Sequence, residues 1–349
     1  MKKEDSVALQ GLAVLMMLML HFFMDISVYP ENFFVLPEVF QRIAWTGRMC
    51  VGIFSFVSGY GMYQVLKKKD SYTSMITDCT KRLVGLYARI FMVIILCVYP
   101  LKLIFGEEIL ISQLPGNVFG YNVVYSGAWW FVLEYMWFML LAPIFALIAS
   151  PRVKKELRVF VALVLIGLVL FGKGIIFTNA QVVEFFEVRM QPTFLIIFAE
   201  GFLAGKMQEF LGGMECFSKM QKYIAKVRCR NVGIVLFFIA LGLRYLYSID
   251  PNRATIDILL VPVLCAGAAL WFQRANSLRN IFIFFGKNSL YLWFVHSLIC
   301  DRLAPLLVQK VGYWFAFYII MLALSLVAAI LLGYIEKVIK RFIRLPRVG

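Results

Sequence analysis

Charge is scarce in this chain of 349 residues, and acidic charge scarcest: charged side chains make up 16%, with 20 acidic residues against 35 basic ones. Soluble domains carry about a quarter charged residues, so a chain this poor in charge does not fit that class. Histidine occurs only twice, at His21 and His296. The cysteines number seven, an odd count, scattered at Cys50, Cys79, Cys97, Cys216, Cys229, Cys265 and Cys300. None stands in a C-x-x-C pair, which argues against a metal or redox site and for apolar filler or free thiols. No Ser-His-Asp order, HExxH, Walker loop or GxGxxG is present. No loop is long enough for a second folded domain. Neither an internal repeat nor a matching pair of broken helices in two halves, the pointer to a secondary transporter, stands out.

What is present is apolar. Hydrophobic residues make up 62% and aromatic ones 16%, and the mean hydropathy is +0.83. These values predict an all-α membrane helix bundle. About 20 apolar residues cross the hydrocarbon core, and ten candidate stretches begin near Ala8, Ala44, Leu83, Gly127, Leu157, Pro192, Val232, Ala254, Asn280 and Tyr313. The first is too long for a signal-peptide core and lacks a small-residue cleavage site, so it is kept as structure. Cytoplasmic loops are enriched in Lys and Arg. With Lys2 and Lys3 inside, basic clusters fall on every second loop: Lys67, Lys68, Lys69, Lys81 and Arg82; then Arg152, Lys154, Lys155 and Arg158. Lys219, Lys222, Lys226, Arg228 and Arg230 follow, then Arg274 and Arg279, and finally the tail from Lys337 to Arg347. The alternate loops carry Glu107, Glu108, Glu184 and Glu187 instead. Both termini are therefore expected in the cytoplasm of a multi-pass plasma-membrane protein. The net charge of +15 is a topology signal, and no nucleic-acid partner is expected. The long inner loop GGMECFSKMQKYIAKVRCRN reads as an interfacial amphipathic piece.

Ionisable groups at membrane depth are costly and turn toward the bundle interior. The topology puts His21 and His296 near the same outer leaflet, with Glu134, Asp257, Arg48 and Arg244 at similar depth. Arg82, Arg89, Lys206 and Lys287 fall toward the cytoplasm, where a cationic pocket suits a phosphorylated ligand. Gln10 and His21 are eleven positions apart, close to three helical turns and about 16 Å of rise, so they share a face. A neutral imidazole there suits a general base for a hydroxyl.

These residues together resemble the acyltransferase-3 family of integral membrane O-acyltransferases. That family carries Arg, ten residues, then His on its first helix; here Gln10 and His21 meet the spacing, with glutamine in the arginine's place. CVGIFSFVSGYGMY is similar to the family's second helix through Ser58, Gly59 and Tyr60. KRLVGLYARIF matches through Arg82, and WWFVLEYMWFMLLAPIF through Trp130, Phe131 and Pro143. FAEGFLAGK resembles a later segment, as does FGKNSLYLWFVH, through Gly286, Ser289, Tyr291, Leu292 and His296. The matches run in family order along nearly the whole chain. The resemblance implies one transmembrane acyltransferase domain over residues 1–349. It would move an acyl group, most often acetyl, from cytosolic acyl-CoA to a sugar hydroxyl of an envelope polysaccharide or lipid-linked glycan.

Under that resemblance His21, Glu134 and His296 are the catalytic candidates. Gln10, Arg82, Arg89 and Lys287 would hold the CoA donor, and Arg48, Ser58, Tyr60 and Trp130 the acceptor. Acetyl-CoA is then a donor substrate; no permanently bound cofactor and no metal are expected, and self-association into a homo-oligomer is left open. Several residues carry a second reading. Arg82 suits an orientation-setting charge, Ser58 and Gly59 close helix packing, and Trp129 and Trp130 an interfacial belt. Glu134 suits either a histidine or Arg48. The same buried charges would also serve a transporter or flippase for a glycan or small acid, or a non-catalytic relative.

Overall fold

Helices form where the apolar runs predict them. A computed structural model describes residues 1–150, 154–172, 191–212, 229–248, 255–273 and 275–343, and no strand occurs among them. In chain order the helices are α1 (Lys3–Phe23), α2 (Pro37–Thr46), α3 (Met49–Leu66), α4 (Tyr72–Val93), α5 (Tyr99–Ile104), α6 (Leu114–Phe119) and α7 (Phe131–Ala149). They continue as α8 (Lys155–Gly172), α9 (Pro192–Gly212), α10 (Cys229–Leu246), α11 (Asp257–Phe272), α12 (Asn276–Val311) and α13 (Trp314–Ile343). All ten expected stretches are represented. Among the described residues six helical runs are long and apolar enough to cross a membrane: Lys3–Phe23, Pro37–Leu66, Tyr72–Ile104, Gly127–Ala149, Asn276–Val311 and Trp314–Phe342. The chain is thus a multi-pass membrane protein. Helices α10 and α11 are shorter, and α9 carries Glu200, Lys206 and Glu209. Most of the amphipathic loop, residues 213–228, lies outside the described residues, as do Arg152, Glu184, Glu187, Arg274 and the end of the tail.

Boundaries move where a helix outruns its apolar core. Helix α4 starts at Tyr72, capped by Ser71 Oγ, which accepts from Ser74 N–H. Its first three turns are polar and carry Asp78, Lys81 and Arg82. At its far end the ladder widens into a π-helical turn over Ile94–Val98, where Tyr99 N–H donates to Ile94 O. Pro100 follows at once; it has no N–H for an α-type bond, and shifting the ladder absorbs the loss.

Lipid gives helices no hydrophobic reason to associate, so small residues that let backbones touch decide the pairing. A β-carbon on Gly11 would lie 1.8 Å from Phe282 O, and one on Gly286 1.9 Å from Val7 O, which joins α1 to α12. Gly59 and Gly201 do the same for α3 and α9, at 1.9 Å from Phe198 O and 2.0 Å from Phe56 O. Because backbone faces backbone, nothing flexible yields. Gly201→Ala is expected to cost about 1–3 kcal/mol, read as a lower thermal midpoint of the detergent-purified protein. Gly242→Ala, with nothing within 4 Å of the added carbon, should leave the midpoint unchanged or raise it.

The segment joining α1 to α3 closes the end of α1 beyond His21. Phe22, Phe23, Phe33 and Phe34 pack there with Phe317. Tyr29 Oη–H donates to Phe22 O, and Met24 O accepts from Gln41 Nε2 at 3.1 Å and Trp45 Nε1 at 2.9 Å. Two carbonyls at the end of α1, where helical partners are lacking, are thereby satisfied, and α1 is held one turn past His21.

Candidate active site

One cavity of about 1870 Å³ lies between these helices, against about 300–1,000 Å³ for an ordinary ligand pocket, which leaves room for two substrates. Along α1 it is lined by Lys3, Ser6, Val7, Gln10, Met17, Leu20, His21 and Met24, a rise of about 30 Å. Helix α3 runs the opposite way along the wall. Its start lies against α1 near His21, since a β-carbon on Gly47 would sit 2.4 Å from Met16 O and 3.0 Å from Leu20 Cβ. Near its other end Tyr60 Oη lies 2.5 Å from Met1 O.

One end of the cavity is strongly cationic. Lys3, Lys67, Lys68, Lys69, Lys81, Arg82, Arg89, Lys287 and Lys340 line it, against Asp78, Glu209 and Glu336. Lys67 pairs with Glu209 at 2.8 Å and Lys69 with Asp78 at 2.7 Å. Arg89 Nε donates to Glu336 Oε1 at 2.9 Å, and Lys340 and the Tyr291 hydroxyl also hold that carboxylate. Arg89 is therefore fixed within the protein, whereas Arg82 and Lys287 make no ion pair among the described residues.

At the other end the two histidines meet, with ring centroids 4.9 Å apart and planes tilted by 55°. His21 faces the cavity. His296 is fully buried behind it, with Nδ1 2.8 Å from Trp293 O and 3.1 Å from Leu292 O. Those carbonyls only accept, so Nδ1 carries the proton and Nε2 a lone pair, which has no partner among the described residues. This part of α12 is stitched to the turn Gly127–Trp130. Trp129 Nε1 donates to Phe294 O at 3.1 Å, Trp293 Nε1 to Ala128 O at 3.0 Å, and the Ser126 and Ser297 hydroxyls lie 2.5 Å apart.

Gln10 and His21 share the cavity face as their spacing predicts, and Arg82, Lys287, Arg48, Ser58 and Trp130 line it too. Glu134 does not. It is buried, its Oε1 accepts from Gln191 N–H at 2.6 Å, and it anchors the chain entering α9 instead of orienting a histidine or pairing with Arg48. Tyr60 lies at the cationic end with its hydroxyl between Met1 O and Gln208 Oε1, so it is a structural tie. Ser58 and Gly59 divide their two readings: Gly59 packs on α9, and Ser58 faces the cavity. Likewise Trp129 is a core residue, not part of an interfacial belt, while Trp130 is cavity wall. Trp293, Gln191 and Asp257 also line the chamber. Trp293 stood within FGKNSLYLWFVH, and Asp257 stood out by its depth, but nothing in the sequence marked Gln191.

A neutral base at one end of a chamber and surplus cations at the other suit transfer from a phosphate-bearing donor. The acyltransferase-3 family model, an acyltransferase domain, matches residues 7–334. No curated protein and no solved structure shows a significant match. The family match begins within α1 and ends within α13, so it includes both histidines, and the chain belongs to the acyltransferase-3 family of membrane acyltransferases.

Proposed function

We propose that the protein is an O-acyltransferase that moves an acyl group, acetyl in the simplest case, from acyl-CoA to a sugar hydroxyl of an envelope polysaccharide or lipid-linked glycan. One observation carries this reading: a single cavity holds both the surplus cations and His21. In this reading ten helices, α1, α3, α4 and α7 to α13, each span the plasma membrane, with both termini and the cationic mouth cytoplasmic. The CoA phosphates bind at the mouth by Arg82 and Lys287, as charge-assisted partners of an oxyanion, and the thioester lies along α1 past Gln10 toward His21.

The acceptor oxygen attacks the thioester carbonyl carbon while His21 takes its proton. The C–O bond forms, the C–S bond breaks, and the CoA thiolate leaves with the proton returned by His21. His296 touches no substrate and acts as a positioning residue. Its ring lies 4.9 Å from the His21 ring, centroid to centroid, and by that contact it holds the His21 imidazole toward the chamber. Trp130 offers an aromatic wall for the sugar ring.

Mass spectrometry of envelope glycans from cells with and without the gene tests the whole reading; an unchanged acylation pattern rejects it. Donor binding has its own test. Arg82→Gln is expected to weaken CoA binding about fivefold, the loss of one hydrated, screened phosphate contact, and to flatten its salt dependence. Calorimetry giving wild-type affinity would return Arg82 to a purely topological role.

A further inference from the structure

The histidine end of the chamber holds a positive charge that the described residues do not answer. Arg48 stands at the start of α3 and lines the cavity. Its place is fixed by Gly47, jammed against α1 at Met16 and Leu20, and by Trp45, which bonds to Met24 O. The guanidinium carbon lies 5.7 Å from the Trp45 ring centroid, yet the guanidinium makes no hydrogen bond and no ion pair among the described residues. The carboxylate that attracts it, Asp257, is already engaged: Arg244 Nε lies 2.8 Å from Asp257 Oδ1, and both side chains are almost fully buried. Arg48 is attracted to Asp257 and repelled by Arg244. Two cations and one carboxylate leave a surplus of one positive charge.

An unmatched guanidinium in a spanning segment is costly and marks a ligand path. Its five donors in a planar fork fit a carboxylate or phosphate, not a neutral hydroxyl. The cations that suit CoA phosphates lie at the opposite end of the cavity, toward Lys3 and Lys67, so Arg48 is separate from them.

We propose that Arg48 binds an oxyanion, a carboxylate or phosphate, which a substrate carries into the chamber beside His21. The identity of the guest rests on the acyl-transfer reading: the acceptor is a sugar bearing an acidic substituent next to the reactive hydroxyl. Trp130 and Gln191 line the same chamber and supply a face and an amide for such a ring. The same chemistry has a second source, the free carboxylate of a dicarboxylic acyl group on the donor.

Two matched probe pairs separate these sources, titrated by calorimetry into the full-length protein in detergent. One pair is methyl β-D-glucuronide and methyl β-D-glucoside; the other is succinyl-CoA and acetyl-CoA. A charged probe is expected to bind at least about tenfold more tightly than its neutral twin, as a bidentate charge-assisted contact implies. That preference should vanish in Arg48→Gln and survive in part in Arg48→Lys, which also shows that the site still folds. Preference within the sugar pair assigns the anion to the acceptor; preference within the thioester pair assigns it to the acyl group. Equal affinities within both wild-type pairs, or a preference that persists in Arg48→Gln, would overturn the proposal. Failure of both thioesters to bind would count against acyl transfer alone, because the sugar pair still reports on Arg48.

Discussion

His21→Ala is expected to abolish acyl transfer, lowering kcat by about 10²–10⁴, the range for loss of a positioned general base, while acyl-CoA affinity stays within a few-fold of wild type. The split follows from geography. The donor's phosphates are assigned to the cationic end, and His21 lies about 27 Å away along α1 by helical rise. His21 also borders an existing cavity, so truncation enlarges that space instead of opening a new void in packed core, and the fold should persist. No other lining residue offers a ready base nearby: Asp257 is paired with Arg244, and His296 is fully buried. His21→Gln separates chemistry from packing, since glutamine restores much of the volume and a hydrogen-bonding group without a basic nitrogen. Both variants should therefore be inactive. Normal single-turnover transfer of labelled acetyl in either one removes His21 from the mechanism.

The legible and the illegible parts of this protein divide along physical lines. Apolar runs are read by composition, so the helices that grow from them, the six long apolar ones among the described residues included, were visible in the sequence. Polar helix ends were not, because the three turns from Tyr72 to Arg82 look like loop by hydropathy yet extend α4 at the cationic mouth. Periodicity along one helix is equally legible: Gln10 and His21 share a face, as eleven residues dictate. Contacts between helices are different, since they depend on how backbones dock. Nothing local says that Glu134 will meet the N–H of Gln191, fifty-seven residues away, or that Glu336 will hold Arg89. Depth placed His21, His296, Arg48 and Asp257 in one layer, but depth is one coordinate. The other two come from glycine contacts such as Gly11 with Phe282, which draw α12 against α1 and bring His296 behind His21.

Gln10→Arg is expected to tighten acyl-CoA binding by about 10- to 150-fold, the equivalent of one well-placed charge-assisted hydrogen bond of about 1.5–3 kcal/mol. Gln10 lines the cavity between the cationic mouth and His21, and its side chain makes no hydrogen bond among the described residues, so replacing it breaks none. The neighbouring Gly11 is pressed against the α12 backbone, and that contact holds α1 in register while the longer side chain extends into open space. Arginine suits the position because its aliphatic stem lies along apolar wall while its head reaches polar surroundings. Lys3 lies two turns away on the same face, but at about 10 Å across a hydrated mouth their repulsion is largely screened. The acidic residues at the start of α1, Glu4 and Asp5, are held by Arg279 at 2.7 and 3.1 Å, which limits their competition with the donor for the new charge. Calorimetry on purified wild type and variant, at low and high salt, decides the matter. A gain in affinity that shrinks with salt places Gln10 on the donor's path to His21. Unchanged or weakened binding in a variant that still folds would take it off that path and break the proposed link between the cationic mouth and the histidine pair.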